Sequence, residues 1–558
     1  MNQGNTLSVR HHRRWRDCII VLILFLGGVC AGMAYLNAVR TNRSAIQGIE
    51  YLYGPSVMFA AGRGFYHPDI NASPELRAFV RNEVESLDPK MLPPDIPRQD
   101  STVAAYHLYL LYVVAAFWWL FGISWSSLEP LAAIMLGWNA AAAYGLFRLG
   151  MGRVISLVCA VIFTLSPPIL IMLPNLRDFS KAPFILTVIL LLIYLVKAKP
   201  SLSRLAVYLP LLGLLIGVGM GFRQDIIIFI PPAILVACIS LYRAGNASLL
   251  RRCAVAALFL VCLFGTASPM LGRMEGGAQP YHPLVQGYSM KRMESLGIEP
   301  AAYAPLASGQ DNYVFSVLYD YYRRVNHKPN AHFSYNSPGA EAAGRQWLID
   351  MGVHFPADII TRGYASVLRS LRYADAYTPW FSQFPSGLRS IENIHLGFAA
   401  FMHRFGLLLG IAALLCIGVR NLAAGLGLIV FVVYVFGYVG LQCEFRHAFH
   451  FAFIPFWVMG FLTSTALNKL WFWQPAGFQK IRTALVRSFL FVLFAAGFSF
   501  ILCSIKSTSD TSRAISSFLL IPVLARIVII ALSLISRVEL IRRAMSSILM
   551  SFLICPSS

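Results

Sequence analysis

The chain has 558 residues, 57% of them hydrophobic and only 13% charged, with a mean hydropathy of +0.63. Ordinary soluble domains carry about 25% charged residues, so the composition excludes a soluble globular protein and specifies an integral membrane one. The formal charge of +21 requires no nucleic acid, because polytopic proteins collect Lys and Arg on the cytoplasmic side, where they also meet anionic head groups.

In chain order, RHHRRWRD and the apolar run after it read as a basic cytoplasmic terminus (1–17) and an uncleaved first helix. A bilayer core takes about 20 apolar residues per helix. Runs of that kind occupy 18–36, 104–122, 128–147, 153–173, 183–198, 205–221, 225–242, 253–271, 398–418, 422–440, 451–468, 486–504 and 515–536, with a weaker tail at 544–555. If all of them crossed, the basic groups Arg148/Arg153, Lys197/Lys199/Arg204 and Arg243/Arg251/Arg252 would fall on the outside. Taking 104–122 out of the count returns every group to the inside, so the positive-inside rule predicts about 12 spans, with 104–122 lying along the outer interface. Its Tyr106, Tyr109, Tyr112, Trp118 and Trp119 suit the headgroup zone.

The expected architecture is therefore an all-α polytopic membrane protein with interfacial helices and two large outer segments. It divides into a transmembrane module over 18–271 with an outer loop at 37–127, a second outer loop at 272–397, and C-terminal helices over 398–558. Within the second loop, Trp347, Leu348, Met351 and Phe355 recur at helical spacing, and Pro356 breaks or kinks that helix. Of the ten cysteines most fall in or beside apolar runs, and the absence of a CxxC pair argues against a disulfide framework or a zinc knuckle.

Charged groups beside apolar spans are costly and therefore functional candidates. In this topology they share the outer mouth. One connection carries Asn175, Arg177, Asp178 and Lys181; another carries Arg223, Gln224 and Asp225; a third carries Glu444, Arg446, His447 and His450. Glu50 and His107 belong to the same side. Taken singly, Arg177–Asp178 or Arg223–Asp225 reads as an ion pair that tidies a loop, and His447 with His450 is a weak zinc signal. Taken together, several cations at one membrane depth suit a phosphate on a lipid anchor, and one carboxylate suits a general base toward an acceptor hydroxyl. No P-loop and no nucleophile elbow occurs.

The order of these features resembles the GT-C superfamily, the polytopic glycosyltransferases that use polyprenyl-phosphate sugars and include protein mannosyltransferases, the lipid A aminoarabinose transferase and oligosaccharyltransferases. The resemblance rests on Glu50 followed by an aromatic segment ending in Gly62-Arg63-Gly64-Phe65, then Tyr106-His107-Leu108-Tyr109, the basic turn Arg148–Arg153, Arg177-Asp178, and Arg223-Gln224-Asp225. It covers roughly residues 15–245. Two departures stand out: Glu50 replaces the frequent Asp or Asp-Glu, and the second loop has one acid in place of a D-x-D pair, so no divalent metal is indicated.

The resemblance implies sugar transfer from a lipid-linked donor to a lipid, glycan or protein acceptor on the periplasmic side of a bacterial inner membrane. Glu50 and Asp178 would then be catalytic, and Arg177, Lys181, Arg223, Asp225, Arg446, His447, His450 and His107 would bind substrate. A transporter or flippase of an anionic lipid or saccharide is the alternative from another class, with Pro167-Pro168 and Pro231-Pro232 as candidate helix breaks. An oligosaccharide polymerase or ligase shares the substrate class and would not need Glu50.

Overall fold

The computed structural model describes residues 3–40, 44–46, 52–99, 105–245, 247–274, 281–299, 311–327, 338–372, 384–439 and 445–471. The expected spans at 486–504 and 515–536, the tail at 544–555, Glu444 and Glu50 lie outside them. The described residues are helical, with two isolated antiparallel bridges, Pro68 to Arg98 and Ser86 to Ser124, in the first outer segment. Two units form: one comprises 1–345, 362–413 and 431–475, and the other comprises 346–361, 414–430 and the residues from 476 onward.

The first helix, α1 (Gln3–Val39), enters an outer segment holding α2 (Gly54–Ala60), α3 (Pro74–Val80) and α4 (Leu108–Phe121). There follow α5 (Glu129–Arg148), α6 (Arg153–Thr164), α7 (Pro167–Met172), α8 (Leu176–Phe179), α9 (Lys181–Ala198), α10 (Leu202–Phe222), α11 (Ile230–Arg243) and α12 (Leu249–Met274). The second outer segment contributes α13 (Tyr281–Gln286), α14 (Met290–Ser295), α15 (Asp311–Val325), α16 (Pro338–His354) and α17 (Pro356–Leu371). The described chain closes with α18 (Arg389–Arg420), α19 (Leu422–Val439), α20 (Phe445–Ala448) and α21 (Phe453–Trp471). Pro356 ends one helix and begins the next, since a proline lacks the N–H the preceding turn would need.

Among the described residues eight helices are long and apolar enough to cross a membrane, and three shorter apolar ones accompany them. The 14-residue α4 is one of the shorter ones; at 1.5 Å per residue it extends about 21 Å, less than a hydrocarbon core. The run 153–173, expected as one continuous span, is instead divided: α6 ends at Thr164, and α7 restarts behind Ser166 with Pro167 and Pro168 in its first turn. The paired prolines cannot continue the α6 hydrogen-bond ladder but are suited to a helix start.

α1 and α5 form a hairpin tied at both ends. At one end Arg148 and Arg153 reach Asp17 at 3.3 and 2.7 Å, and the Tyr144 hydroxyl donates to the same carboxylate. The neighbouring α9 ends there as well, with the Lys197 ammonium donating to the Leu149 carbonyl. At the other end Arg40 pairs with the buried Glu129, whose second oxygen accepts from Ser44 Oγ and the Ala45 N–H. Between the ties the backbones touch: a Cβ on Gly137 would lie 2.5 Å from the Phe25 carbonyl oxygen. Small residues permit this approach, which supplies the dispersion contacts that hold helices together in lipid.

The outer segment has its own aromatic core of Tyr53, Phe79, Trp118 and Trp125, all buried. Phe79 stacks on Trp125 at 5.0 Å, and Tyr53 stands edge-on to Trp125 at 5.4 Å. Both indole N–H groups are satisfied, Trp118 by the Ser124 carbonyl and Trp125 by that of Phe79. Glu85 accepts from the Ser44 and Ser126 N–H groups at 2.8 Å each, joining the exit of α1 to the entry of α5.

Gly137→Val should force α1 and α5 apart and cost about 1–3 kcal/mol, the usual range for overpacking. The expected reading is a lower unfolding midpoint in detergent, while Gly27→Ala, where an added Cβ meets nothing within 4 Å, leaves it unchanged.

Candidate functional site

The end of the bundle that holds Arg40 and Glu129 is where helix termini bring charge together. Asn175 starts α8 by accepting the Asp178 N–H on its side-chain oxygen at 3.3 Å, and its amide nitrogen donates to Asp178 Oδ2 at 3.0 Å. This local turn holds Asp178, fully buried, pointing into the protein. Its carboxylate then accepts from Arg177 at 3.3 Å and from Arg223, which follows the last turn of α10. Arg446 of α20 is close enough for its charge to act on Asp178.

Arg223 joins this carboxylate to a second one. Its Nε lies 3.4 Å from Asp225 Oδ2, to which the ammonium of Lys181, at the start of α9, donates at 2.7 Å. His447 Nδ1 stands 3.5 Å from the same oxygen, and Tyr438 of α19 is close enough for the Asp225 charge to act on it. The chain of groups is continuous, from Arg177 through Asp178, Arg223 and Asp225 to Lys181 and His447. Four cations thus face two carboxylates, with Lys181 wholly buried and Arg223 nearly so. Each pair is far from bulk water, where an unpaired charge costs several kcal/mol. Lys181 opens α9 and Asp225 lies in the first turn of the 224–229 segment, so the positive potential of both helix starts falls on the cluster.

His107 closes one side. It stands immediately before α4, and its Nδ1–H donates to the Phe222 carbonyl at 2.8 Å, which leaves Nε2 as the acceptor. The dock that places it is adjacent: the Tyr109 ring lies on Gly221, where an added Cβ would sit 2.1 Å from the ring, and its hydroxyl donates to the Thr266 carbonyl. Burial, reinforced by the Arg223 and Arg177 charges, lowers the His107 pKa to about 3, so the ring is neutral at pH 7. The Tyr53 hydroxyl feels the charges of Arg177 and Asp178, and burial raises its pKa.

The structure therefore brings Arg177, Asp178, Lys181, Arg223, Asp225, Arg446, His447, His450 and His107 to one place. Glu50 lies outside the described residues, but Tyr53, three positions on, borders the cluster. Tyr53, Asn175 and Tyr438 are the members that the sequence reading did not nominate. Asn175 is recognisable as a helix-capping residue two positions before Arg177, whereas Tyr438 is one aromatic among many in an apolar run. Among the described residues no group of three or more His, Cys, Asp or Glu is arranged to hold a metal ion.

Fold and site together define the class, a multi-pass helical membrane protein with a buried polar cluster at one end of its spans. No family model, curated protein or solved structure matches the chain.

Asp178→Asn should strand the Arg177 and Arg223 charges and destabilise the protein by about 3–5 kcal/mol, as removal of one partner of a buried pair does. The check is the unfolding midpoint in detergent against Asp69→Asn, whose carboxylate caps an exposed turn. For His107 the folded pKa of about 3 lies below the ordinary histidine value of 6.5, so the unfolded chain binds more protons between these values. Its contribution is fully present above pH 6.5 and is lost as pH falls toward 3. His107→Asn should flatten the pH dependence of the unfolding midpoint across that window.

Proposed function

We propose that the chain is a glycosyltransferase that moves a sugar from a polyprenyl-phosphate donor to a lipid, glycan or protein acceptor on the non-cytoplasmic face. The observation that carries this reading is the gathering of four cations, Arg177, Lys181, Arg223 and Arg446, around Asp178 and Asp225, with Lys181 and Arg223 buried. Cations gathered at the ends of membrane helices suit the phosphate of an amphiphile lying at headgroup depth. Sidedness agrees with it: Arg148, Arg153 and Lys197 gather at the opposite helix ends around Asp17 and Leu149, and such a basic end faces the cytoplasm.

In this mechanism the acceptor hydroxyl loses its proton to a carboxylate as its oxygen attacks the anomeric carbon. The bond from that carbon to the phosphate oxygen breaks, and polyprenyl phosphate departs with the electron pair. Arg177 and Arg446 stabilise the charge on the leaving phosphate, which is the form of electrostatic catalysis available to preorganised cations. Asp178 accepts from Arg177, Arg223 and Asn175, and Asp225 from Lys181 and Arg223. Both carboxylates therefore act by positioning cations, and the base role falls to Glu50.

A flippase of the same anionic lipid is the second reading, favoured by the interruption between α6 and α7 at Ser166. The test uses proteoliposomes with a polyprenyl-phosphoryl hexose and a hydroxyl acceptor. Glu50→Gln should insert normally and lose about 10²–10⁴-fold in transfer rate, the usual contribution of a general base. Arg177→Ala should lose donor binding. Full activity in both variants overturns the assignment, and movement of lipid between leaflets without transfer turns the reading to a flippase.

A further inference from the structure

Tyr53 and His450 each bring a buried polar group to the cluster that makes no hydrogen bond among the described residues. The Tyr53 hydroxyl has no hydrogen-bond partner among the described residues, although the side chain is completely buried. A buried hydroxyl left unbonded is unfavourable, and this one is held in place, its ring wedged between Trp118 at 6.1 Å and Trp125 at 5.4 Å. It stands within range of the Arg177 and Asp178 charges. The other group is the ring of His450, 1% exposed, with neither nitrogen hydrogen-bonded among the described residues. That ring packs against Phe451 at 4.2 Å and Phe449 at 5.4 Å and is influenced by Lys181 and Asp225.

The two lie at opposite ends of the ion-pair chain, and their surroundings differ. Beside Tyr53 stand the Arg177 guanidinium and the Asp178 carboxylate, and a donor hydroxyl next to a guanidinium complements an oxyanion. Around His450 the walls are aromatic, and Asp225 is shared by Lys181 and Arg223. A ring with two unbonded nitrogens between aromatic faces complements a group with both C–H faces and hydroxyls, which describes a sugar.

Resting on the lipid-linked-sugar reading, we infer that Tyr53 and His450 contact the donor at its two ends: the Tyr53 hydroxyl donates to a phosphate oxygen beside Arg177, and His450 hydrogen-bonds a sugar hydroxyl. Bound donor would then satisfy both buried groups and lie across the Arg223 bridge.

The test measures binding of two probes to the full chain in nanodiscs, a polyprenyl phosphate and the same polyprenyl phosphate carrying a hexose. Tyr53→Phe keeps the ring and removes only the hydroxyl; it should weaken both probes by about tenfold or more, as expected for one hydrogen bond to a charged group. His450→Phe should weaken the hexose probe by several-fold and leave the phosphate probe within twofold. Both probes within twofold of wild type in both variants overturn the inference while leaving the function intact. Failure of wild-type protein to bind either probe overturns the function and the inference together. A 3-fluorotyrosine at position 53 supplies a readout independent of variant stability: its fluorine resonance should move on adding the phosphate probe, and an unmoved resonance at saturation overturns the Tyr53 contact.

Discussion

Everything at this site follows from placing Asp178 and Asp225 together among Arg177, Lys181, Arg223 and Arg446. Asp178 is fully buried and Asp225 nearly so, and each is surrounded by guanidinium, ammonium or amide donors. Arg223 belongs to both and fixes their separation, which makes the ends of α8, α10 and α20 a single electrostatic object. A network of this kind is a poor source of net stability, because desolvation offsets much of the Coulomb gain. What it supplies is preorganisation, with cations held in fixed positions at the helix ends.

Such rigidity depends on the scaffold. The α1–α5 hairpin is tied by charge at both ends and packed through Gly137 between them, so the outer end keeps a constant relation to the basic end. Glu85 and Glu129 draw the residues after α1 onto the start of α5, and the Tyr53–Phe79–Trp118–Trp125 core makes the outer segment a folded cover. The α4 helix is docked through Tyr109 onto the Gly221 notch, which brings His107 to the cluster. Aromatic packing outside the spans thereby sets the geometry of charges at their ends.

Much of the organisation was legible in the chain because a bilayer imposes simple length and charge rules. Among the described residues, eight helices long and apolar enough to cross a membrane fall within the expected runs or overlap them, and 104–122, set apart from the spans by the sidedness of distant arginines, holds the short α4. The break at Ser166 was legible as one of two candidate proline breaks, Pro167-Pro168 and Pro231-Pro232, although hydropathy alone runs over it as one span. Among site residues, charged ones were visible because charge is rare in apolar sequence. Tyr53 and Tyr438 were not, since tyrosine is common at interfaces and only proximity to Asp178 or Asp225 distinguishes them.

Sequence alone therefore determined the membrane class, the approximate spans and the set of charged candidates, because hydropathy and charge are additive along a chain. Tertiary structure decided which charges neutralise one another, that Arg223 bridges two carboxylates over 45 and 2 residues of separation, and which buried groups are left with hydrogen-bonding capacity. Those properties depend on the convergence of several helix termini in space, and no single segment encodes it.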